Sequence, residues 1–425
     1  MFMPKTAGLA AILLFAFSTT SVSFAAEVSR AEVTDTYVRI GQAVFEDALS
    51  TAKSLRDAIL ALEADPTQAN LEAARAAWIA ARVPYQQSEA FRFGNPLVDA
   101  WEGKVNAWPL DEGLLDYVDA SYGAENDYNS LYAANVIANP TIVIDGMEVT
   151  ISQFTPAIIA DVLQEAGHVE ANVASGYHAI EFMLWGQDLH GTGPGAGERP
   201  ASDFDVNNCT NGNCDRRIGY LNAATDLLVS DLEEMVANWV PGGAARSPLV
   251  ADPKRAIAAM LTGMGSLSYG ELAGERMKLG LLLHDPEEEQ DCFSDNTYAS
   301  HFDDVRGIMN VYFGHYVRAD GSVVEGPSLS DLVAQTDAAL NDEMTQKLQS
   351  THAKAEIMVE RGHNIEAYDQ MIAEGNAEGN EVVQAVIDSL IDQTASIERV
   401  VSSLGIDQIE IEVSDSLESA DAVFQ

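Results

Sequence analysis

Residues 176–186 read Gly-Tyr-His-Ala-Ile-Glu-Phe-Met-Leu-Trp-Gly, a run that is apolar except for His178 and Glu181. Such a run predicts a buried helix, and residues three apart on a helix lie on one face. Burying a carboxylate is costly unless it is paired, hydrogen-bonded or bound to a cation. A neutral imidazole beside a carboxylate suits a transition metal, so both residues are candidate ligands. Because the H-x-x-E spacing is short and common, the alternative is a His–Glu hydrogen bond in a helical core.

Four further stretches, in the right order, extend this motif into a family resemblance. Residues 176–181 resemble the Gly-x-His-x-x-Glu signature of the imelysin-like proteins. The other stretches are Tyr-Gln-Gln-Ser-Glu-Ala-Phe-Arg-Phe-Gly at 85–94, Asn-Ala-Trp-Pro-Leu-Asp-Glu at 106–112, Glu-Leu-Ala-Gly-Glu-Arg-Met at 271–277 and Cys-Phe-Ser-Asp-Asn-Thr at 292–297. The resemblance implies a fold of two helical bundles of the duplicated four-helix type. It also implies an iron-regulated periplasmic protein, in a family classed as imelysin peptidases.

The resemblance implies further ligands, because acidic residues in two of these stretches lie near the His-x-x-Glu pair in the family. Glu89 lies in a partly apolar helical run, and Asp111 follows an apolar Trp-Pro-Leu turn. The implied centre holds a divalent metal ion or iron, and its mixed ligands are also compatible with zinc, manganese or copper. The alternative is that Arg92 or Arg82 neutralises Glu89 and that Asp111 caps a helix. The implied ligand set is His178, Glu181, Glu89 and Asp111.

Other polar residues of the matched stretches are candidates for lining a cleft between the two halves of the chain. Glu271 and Glu275 are four residues apart and share a face of a predicted helix, with Arg276 beside them. A salt-bridged interface without a ligand accounts for them equally well, and Arg276 is then the structural partner of a nearby carboxylate. The cleft candidates are Ser88, Arg92, Glu271, Glu275, Arg276, Ser294 and Asp295.

The first 25 residues have the order of a secretory signal. Lys5 provides the positive start, residues 9–17 form a short apolar core, and Ser-Phe-Ala at 23–25 fits a cleavage site. That core is too short to span a bilayer comfortably, and no other run reaches the roughly 18 apolar residues of a transmembrane helix. We therefore expect cleavage near Ala25, a periplasmic or secreted protein and no direct insertion into a membrane.

The chain carries a formal charge of −43, from 66 acidic and 23 basic residues. This charge opposes binding to nucleic acid or to anionic membrane surfaces. It favours solubility and attracts cations, although adaptation to a salty habitat explains it without any specific site. The partners that we expect are a metal ion and, through the family's link to iron, an iron-uptake component of the outer or inner membrane.

The length predicts two domains, because about 400 residues exceed what one core usually supports. We predict a first helical bundle at 26–240, a Pro- and Gly-rich boundary, a second bundle at 249–406 and an acidic tail at 407–425 that frays. The hydrophobic period predicts helices at 27–62, 217–239, 253–284, 328–348, 351–361 and 380–404, and one from Thr67 or Asn70 that kinks at Pro84. Alternating residues at 141–150 around Asp145-Gly146 predict one small β-hairpin on this all-α body.

Two of the three cysteines, Cys209 and Cys214, bracket a short Thr-Asn-Gly-Asn turn. Export permits a disulfide there, and a small staple is its expected role. Cys292 is left over. Two thiols with the third far away do not match a structural zinc pattern.

Several kinds of chemistry lack their motifs. No HExxH and no GxSxG occurs in the chain, which excludes the zincin and nucleophile-elbow patterns. Glu165-x-x-His168 resembles the motif of di-iron carboxylate bundles. On one straight helix, however, it would face away from His178.

Three functions remain open: a periplasmic metal-binding protein of iron acquisition or homeostasis, an imelysin-type metallopeptidase, or a helical interaction module whose His–Glu pair is purely structural. A peptidase needs an open metal position, a bound water and an oxyanion stabiliser, and the sequence shows none of these.

Overall fold

A computed structural model describes residues 27–407 and 409–423. The predicted signal segment and its cleavage position lie outside these residues. The α-helices are α1 (Arg30–Ala64), α2 (Gln68–Ser88), α3 (Pro96–Glu102), α4 (Glu112–Leu115), α5 (Pro156–Ile158), α6 (Gly176–Trp185), α7 (Cys214–Trp239), α8 (Arg246–Ala251), α9 (Pro253–Ser266), α10 (Leu279–Leu283), α11 (Thr297–Phe313), α12 (Leu329–Thr336), α13 (Ala338–Asn364), α14 (Tyr368–Ile372), α15 (Ala377–Ser403) and α16 (Asp415–Glu418). The strands are β1 (Thr141–Ile144), β2 (Met147–Thr150), β3 (His315–Val317) and β4 (Val323–Glu325).

The first half is built on α1, which packs against α2 and α7. Ser29 begins α1 with a capping box to Glu32, and Thr67 caps α2. Pro84 lies inside α2, which continues to Ser88 before a 3-10 turn at Glu89–Phe91. Helix α1 buries a stripe of apolar residues at helical spacing, which is why the sequence pattern predicted it.

The second half contains α9, a π-helix at Leu267–Lys278, α10, and the pair α13 and α15. The sequence predicted one helix over 253–284. The structure has a continuous helical segment there, but its central part is the π-helix. π-Helical turns are rare and frequently lie at functional sites. Residues Glu271, Glu275 and Arg276 all fall in this π-helix.

Helix α11, which the sequence did not predict as a helix, packs against α2 and so joins the two halves. Gly307 allows the close approach, because a Cβ there would lie 2.6 Å from the Gln87 carbonyl oxygen. The separation into two domains stays a prediction. The mostly helical fold is confirmed.

The predicted hairpin forms, with β1 antiparallel to β2 and Asp145 and Gly146 both at positive φ in its turn. A second hairpin, β3 with β4, was not predicted. Asp47 of α1 anchors it by accepting hydrogen bonds from the Tyr316 hydroxyl at 2.9 Å and from Arg318 Nη2 at 2.8 Å.

Residues Glu165 to His178 do not form one straight helix, because Glu165 and Gly167 have positive φ and the chain turns there. The comparison of faces on a straight helix therefore does not apply to them. A further prediction differs from the structure. The acidic tail does not fray over residues 409–423. It packs on the π-helix, where Ser416 Oγ donates to the Gly274 carbonyl at 2.9 Å. None of the helices in the described ranges combines the length and apolar character needed to cross a membrane.

Candidate metal centre

Helix α6 holds the centre in place because all ten of its residues are buried. Gly176 starts it at φ 82°, and any side chain there would overlap the Val105 carbonyl oxygen. The Tyr177 amide donates to the same carbonyl at 2.7 Å, and Trp78 Nε1 donates to the Tyr177 carbonyl at 2.9 Å. The position and rotation of the helix are thus fixed by backbone contacts at its first turn.

The protonation of the His178 ring is set by Asn106. The Asn106 amide has one orientation, because its Nδ2 donates to Glu102 at 3.0 Å while its Oδ1 accepts from Arg82 Nη1 at 2.7 Å. That same Oδ1 lies 3.1 Å from His178 Nε2, so Nε2 carries the hydrogen. In the neutral ring Nδ1 is then left with a lone pair.

Two carboxylates face this lone pair. His178 Nδ1 lies 3.2 Å from Glu181 Oε2 and 3.7 Å from Asp291 Oδ1. All three side chains are at most 1% exposed. Three groups that each accept hydrogen bonds converge on one point in a dry interior. Such a convergence needs a shared cation, which is either a proton or a metal ion.

The carboxylates are held from outside the centre. Glu181 Oε1 accepts from the Ser294 amide at 3.0 Å and from the Ser294 hydroxyl at 2.6 Å. Asp291 Oδ1 pairs with Arg82 Nη2 at 2.9 Å, and its Oδ2 accepts from Asn296 Nδ2 at 3.1 Å and from the Ser300 hydroxyl. These contacts leave Glu181 Oε2 and one side of Asp291 Oδ1 directed at His178.

Burial dominates the ionisation of these groups. Burial, together with the Arg82 charge, lowers the pKa of His178 to about 3, so the ring is neutral. Burial and the Asp291 charge raise the pKa of Glu181 well above its ordinary value. Burial disfavours the charged form of Asp291 as well, but Arg82 lowers its pKa below the usual range.

The residues fit a metal ion. One ligand atom from each of His178, Glu181 and Asp291 lies within 4.8 Å of the others. A neutral imidazole with two carboxylates is a ligand set for zinc, iron or manganese. A bound histidine usually donates its other ring N–H to a nearby acceptor, which is the contact that Asn106 provides.

The other two implied ligands lie in different surroundings. Glu89 Oε2 pairs with Arg276 Nη2 at 2.7 Å and lies 3.9 Å from Arg92 Nη1. Asp111 begins α4 without capping it and accepts from Asn129 Nδ2 at 2.5 Å. Neither carboxylate belongs to a group of three ligand atoms within 4.8 Å among the described residues.

The cleft candidates do not lie together in the structure. Arg276 binds Glu271 at 2.7 Å, Glu89 at 2.7 Å and Asp304 at 3.1 Å, which makes it the centre of a buried ion cluster. Arg92 Nε pairs with Asp99 at 2.9 Å at the edge of this cluster. The remaining positions differ in exposure and contacts: Ser88 is buried and donates to Tyr85, Glu275 is exposed, Ser294 holds Glu181, and Asp295 lies with two other acids.

Sequence reasoning missed Asp291 as a candidate ligand, and it missed Arg82 and Asn106, which contact Asp291 and His178. Asp291 directly precedes the matched stretch 292–297, and Asn106 is the first residue of the matched stretch 106–112. A buried role for either was therefore open to inference. Nothing local places Asp291 beside His178, since the two are separated by more than a hundred residues of chain.

The structure joins Cys209 to Cys214 with an S–S distance of 1.94 Å, across the turn that precedes α7. Cys292 is a free thiol beside Asp291 in sequence. Burial raises the pKa of its thiol well above the ordinary value, so it is a poor metal ligand in this state.

Comparison with known proteins agrees with the fold and with the family resemblance. The model of the imelysin family (Peptidase_M75) matches residues 41–397. Iron-regulated protein A of Synechococcus elongatus is 42% identical over 64 residues, which is 15% of this chain and only 18% of that relative. A crystal structure from Parabacteroides distasonis, assigned as an iron-regulated protein A precursor, shares the fold at 18% identity. Its TM-score is 0.64, with 90% of this chain and 97% of that chain covered. The family match spans most of the chain, and we conclude that the protein belongs to the imelysin family.

Proposed function

We propose that this protein is exported and binds a divalent metal ion or iron at His178, Glu181 and Asp291, in iron acquisition or homeostasis. One observation carries the proposal: the Nδ1 lone pair of His178 faces two carboxylate oxygens at 3.2 and 3.7 Å. A purely structural His–Glu pair needs no third acceptor at the same point. The geometry therefore favours a metal centre over a hydrogen-bonded core pair.

The iron role rests on the relatives. Both the cyanobacterial relative and the structural neighbour carry the name iron-regulated protein A. A metal centre of imidazole and carboxylate accommodates iron as well as zinc, so the site chemistry agrees with that link. On this proposal the metal is cargo or a sensed ion, and an iron-uptake component of the membrane is the expected partner.

Metal binding is favoured over peptide hydrolysis by the depth of the centre. His178 and Asp291 are about as buried as core leucines, and Glu181 is fully enclosed. A metallopeptidase must present an open metal position to an extended polypeptide. All three side chains are at most 1% exposed, so the described conformation does not present them to an extended polypeptide.

The proposal is tested by anaerobic calorimetry with Fe²⁺ and with Zn²⁺ on protein stripped by chelator. We expect one tight site in the wild type and a loss of at least about 100-fold in affinity in His178→Ala and in Glu181→Gln, since even groups that merely hold a ligand contribute about 10–100-fold. His168→Ala is the matched control, because His168 is exposed and belongs to the other His–Glu motif. Identical isotherms for all four proteins would refute the centre.

Two further measurements separate the remaining functions. Metal analysis of protein isolated from its native compartment identifies the resident metal. An intact mass that corresponds to a chain starting after Ala25 checks export. Unfolded polypeptide incubated with the wild type should stay intact. Cleavage that disappears in His178→Ala and with chelator would instead establish the peptidase function.

A further inference from the structure

A second group of carboxylates meets outside the candidate metal centre. Glu289 and Asp295 come from the segment before α11, and Asp369 comes from α14. One oxygen from each lies within 4.8 Å of the other two. Glu289 and Asp369 are each 1% exposed, so the group is largely withdrawn from water.

These oxygens lack partners. Glu289 Oε1, Asp295 Oδ1 and both carboxylate oxygens of Asp369 are buried and accept no hydrogen bond from any described residue. The amides of Asp369 and Gln370 lie near the Asp369 carboxylate, but neither reaches it with hydrogen-bond geometry. Leaving one such oxygen unsatisfied costs about 1–3 kcal/mol, and more for a charged group.

Two other buried acids of this protein are neutralised by arginine. Glu89 pairs with Arg276, and Asp116 pairs with Arg199 at 2.7 Å and with Arg217 at 2.6 Å. Among the described residues, no arginine or lysine forms an ion pair with any member of the second group. Arginine thus neutralises the buried carboxylates of Glu89 and Asp116, whereas the three carboxylates of the second group meet without one.

We propose that Glu289, Asp295 and Asp369 form a binding site for a hard divalent cation, best suited to calcium. All the ligand atoms are carboxylate oxygens, which select Ca²⁺, Mg²⁺ or Mn²⁺ over metals that prefer nitrogen or sulfur. Two oxygens on one Ca²⁺ lie at most about 4.6–5.2 Å apart, since each bond is about 2.3–2.6 Å long. The separations within 4.8 Å satisfy that limit.

The site has a structural consequence for the candidate metal centre. The segment that brings Glu289 and Asp295 to the cation also contains Asp291, which faces His178, and Ser294, which holds Glu181. A cation bound to Asp369 ties this segment to α14. It thereby fixes the loop that delivers two groups to the centre.

The test is calorimetric titration of chelator-treated full-length protein with CaCl₂, and separately with MgCl₂, in about 0.15 M KCl to screen weak surface binding. We expect one site in the wild type, a loss of at least tenfold in affinity in Asp369→Asn and in Glu289→Gln, and no change in His178→Ala. Asp342→Asn removes an exposed acid and should bind as the wild type does.

Folding does not confound the test, because Asp369→Asn keeps the shape of the side chain and removes an uncompensated charge. Without cation its Tm should equal or exceed that of the wild type. Addition of 5 mM CaCl₂ should raise the Tm of the wild type and of His178→Ala, but not that of Asp369→Asn. The proposal is overturned if neither cation binds the wild type, or if Asp369→Asn binds as well as the wild type does. Neither result would refute the proposed metal centre at His178, because binding there is measured separately with Fe²⁺ and Zn²⁺.

Discussion

Replacing Arg276 by methionine should destabilise the protein strongly. Arg276 is 2% exposed and bridges Glu89, Glu271 and Asp304 at 2.7, 2.7 and 3.1 Å. Burial alone would lower the pKa of Arg276, but these carboxylates raise it well above its ordinary value. Methionine fills the space of the stem and leaves the acids without their cation. Breaking a buried ion pair in this way costs about 3–5 kcal/mol, and we expect the loss to fall in that range at pH 7.5.

The assay is urea denaturation followed by circular dichroism at pH 7.5 and pH 5. The stranded carboxylates gain protons more readily in the variant than in the wild type, so the loss of stability should shrink at pH 5. Arg92→Met is the matched control, because its side chain is 19% exposed at the edge of the same cluster and should cost about 1 kcal/mol or less. If Arg276→Met lowers the free energy of unfolding no more than Arg92→Met does, the ion cluster around Arg276 contributes little to stability.

Three other changes test separate parts of the structure. Asn106→Leu removes the acceptor that fixes the histidine tautomer and should weaken Fe²⁺ or Zn²⁺ binding about 10–100-fold by calorimetry. Burial raises the pKa of Asp231 to about 6. The stability that its protonated form contributes is therefore fully present below about pH 4 and is lost as the pH rises through 6. Asp231→Asn should therefore gain about 1–2 kcal/mol in urea denaturation at pH 8, discounted for contact with water, and nothing at pH 4. Gly176→Ala places a Cβ against the Val105 carbonyl oxygen at φ 82° and should cost about 2–5 kcal/mol.

The aspartate and glycine changes each have a control in the same fold. Asp226→Asn changes an exposed acid of α7, the helix of Asp231, and should change the free energy of unfolding little. Gly219→Ala adds a Cβ in open space within the same helix and should stabilise by about 0.4–1 kcal/mol. Equal losses for the two glycine variants, or unchanged metal affinity in Asn106→Leu, would contradict the contacts on which these predictions rest.

The long helices were predictable because their apolar residues recur with the period of an α-helix. Residues 217–239 and 380–404 were placed within a few residues of α7 and α15, since each buries one apolar stripe against its neighbours. Helix α6 was placed at its observed bounds by two glycines that flank an apolar run. The first hairpin was predictable because its turn needs residues that tolerate positive φ.

The missed elements depend on contacts between distant parts of the chain. Helix α11 has polar residues such as His301 and Asp304 on its buried side, so its pattern does not resemble a core helix. The π-helix turns Glu275 to solvent while Glu271 reaches Arg276, which a regular helix with both acids on one face would not do. At the centre, His178 and Glu181 follow from local spacing. Asp291 could not be predicted, because tertiary packing alone brings it there.

The Arg82 guanidinium, which pairs with Asp291, has a consequence for the oxidation state of an iron ion bound at the centre. Arg82 offsets one of the two carboxylate charges of Glu181 and Asp291, so the ionised ligands carry one net negative charge. A ferrous ion would leave one positive charge in the interior, whereas a ferric ion would leave two. Because the energy of a charge in a poorly polarisable medium grows with its square, the enclosed site should hold the reduced ion more tightly. On the proposed function, oxidation of a bound iron ion would therefore favour its release from the centre.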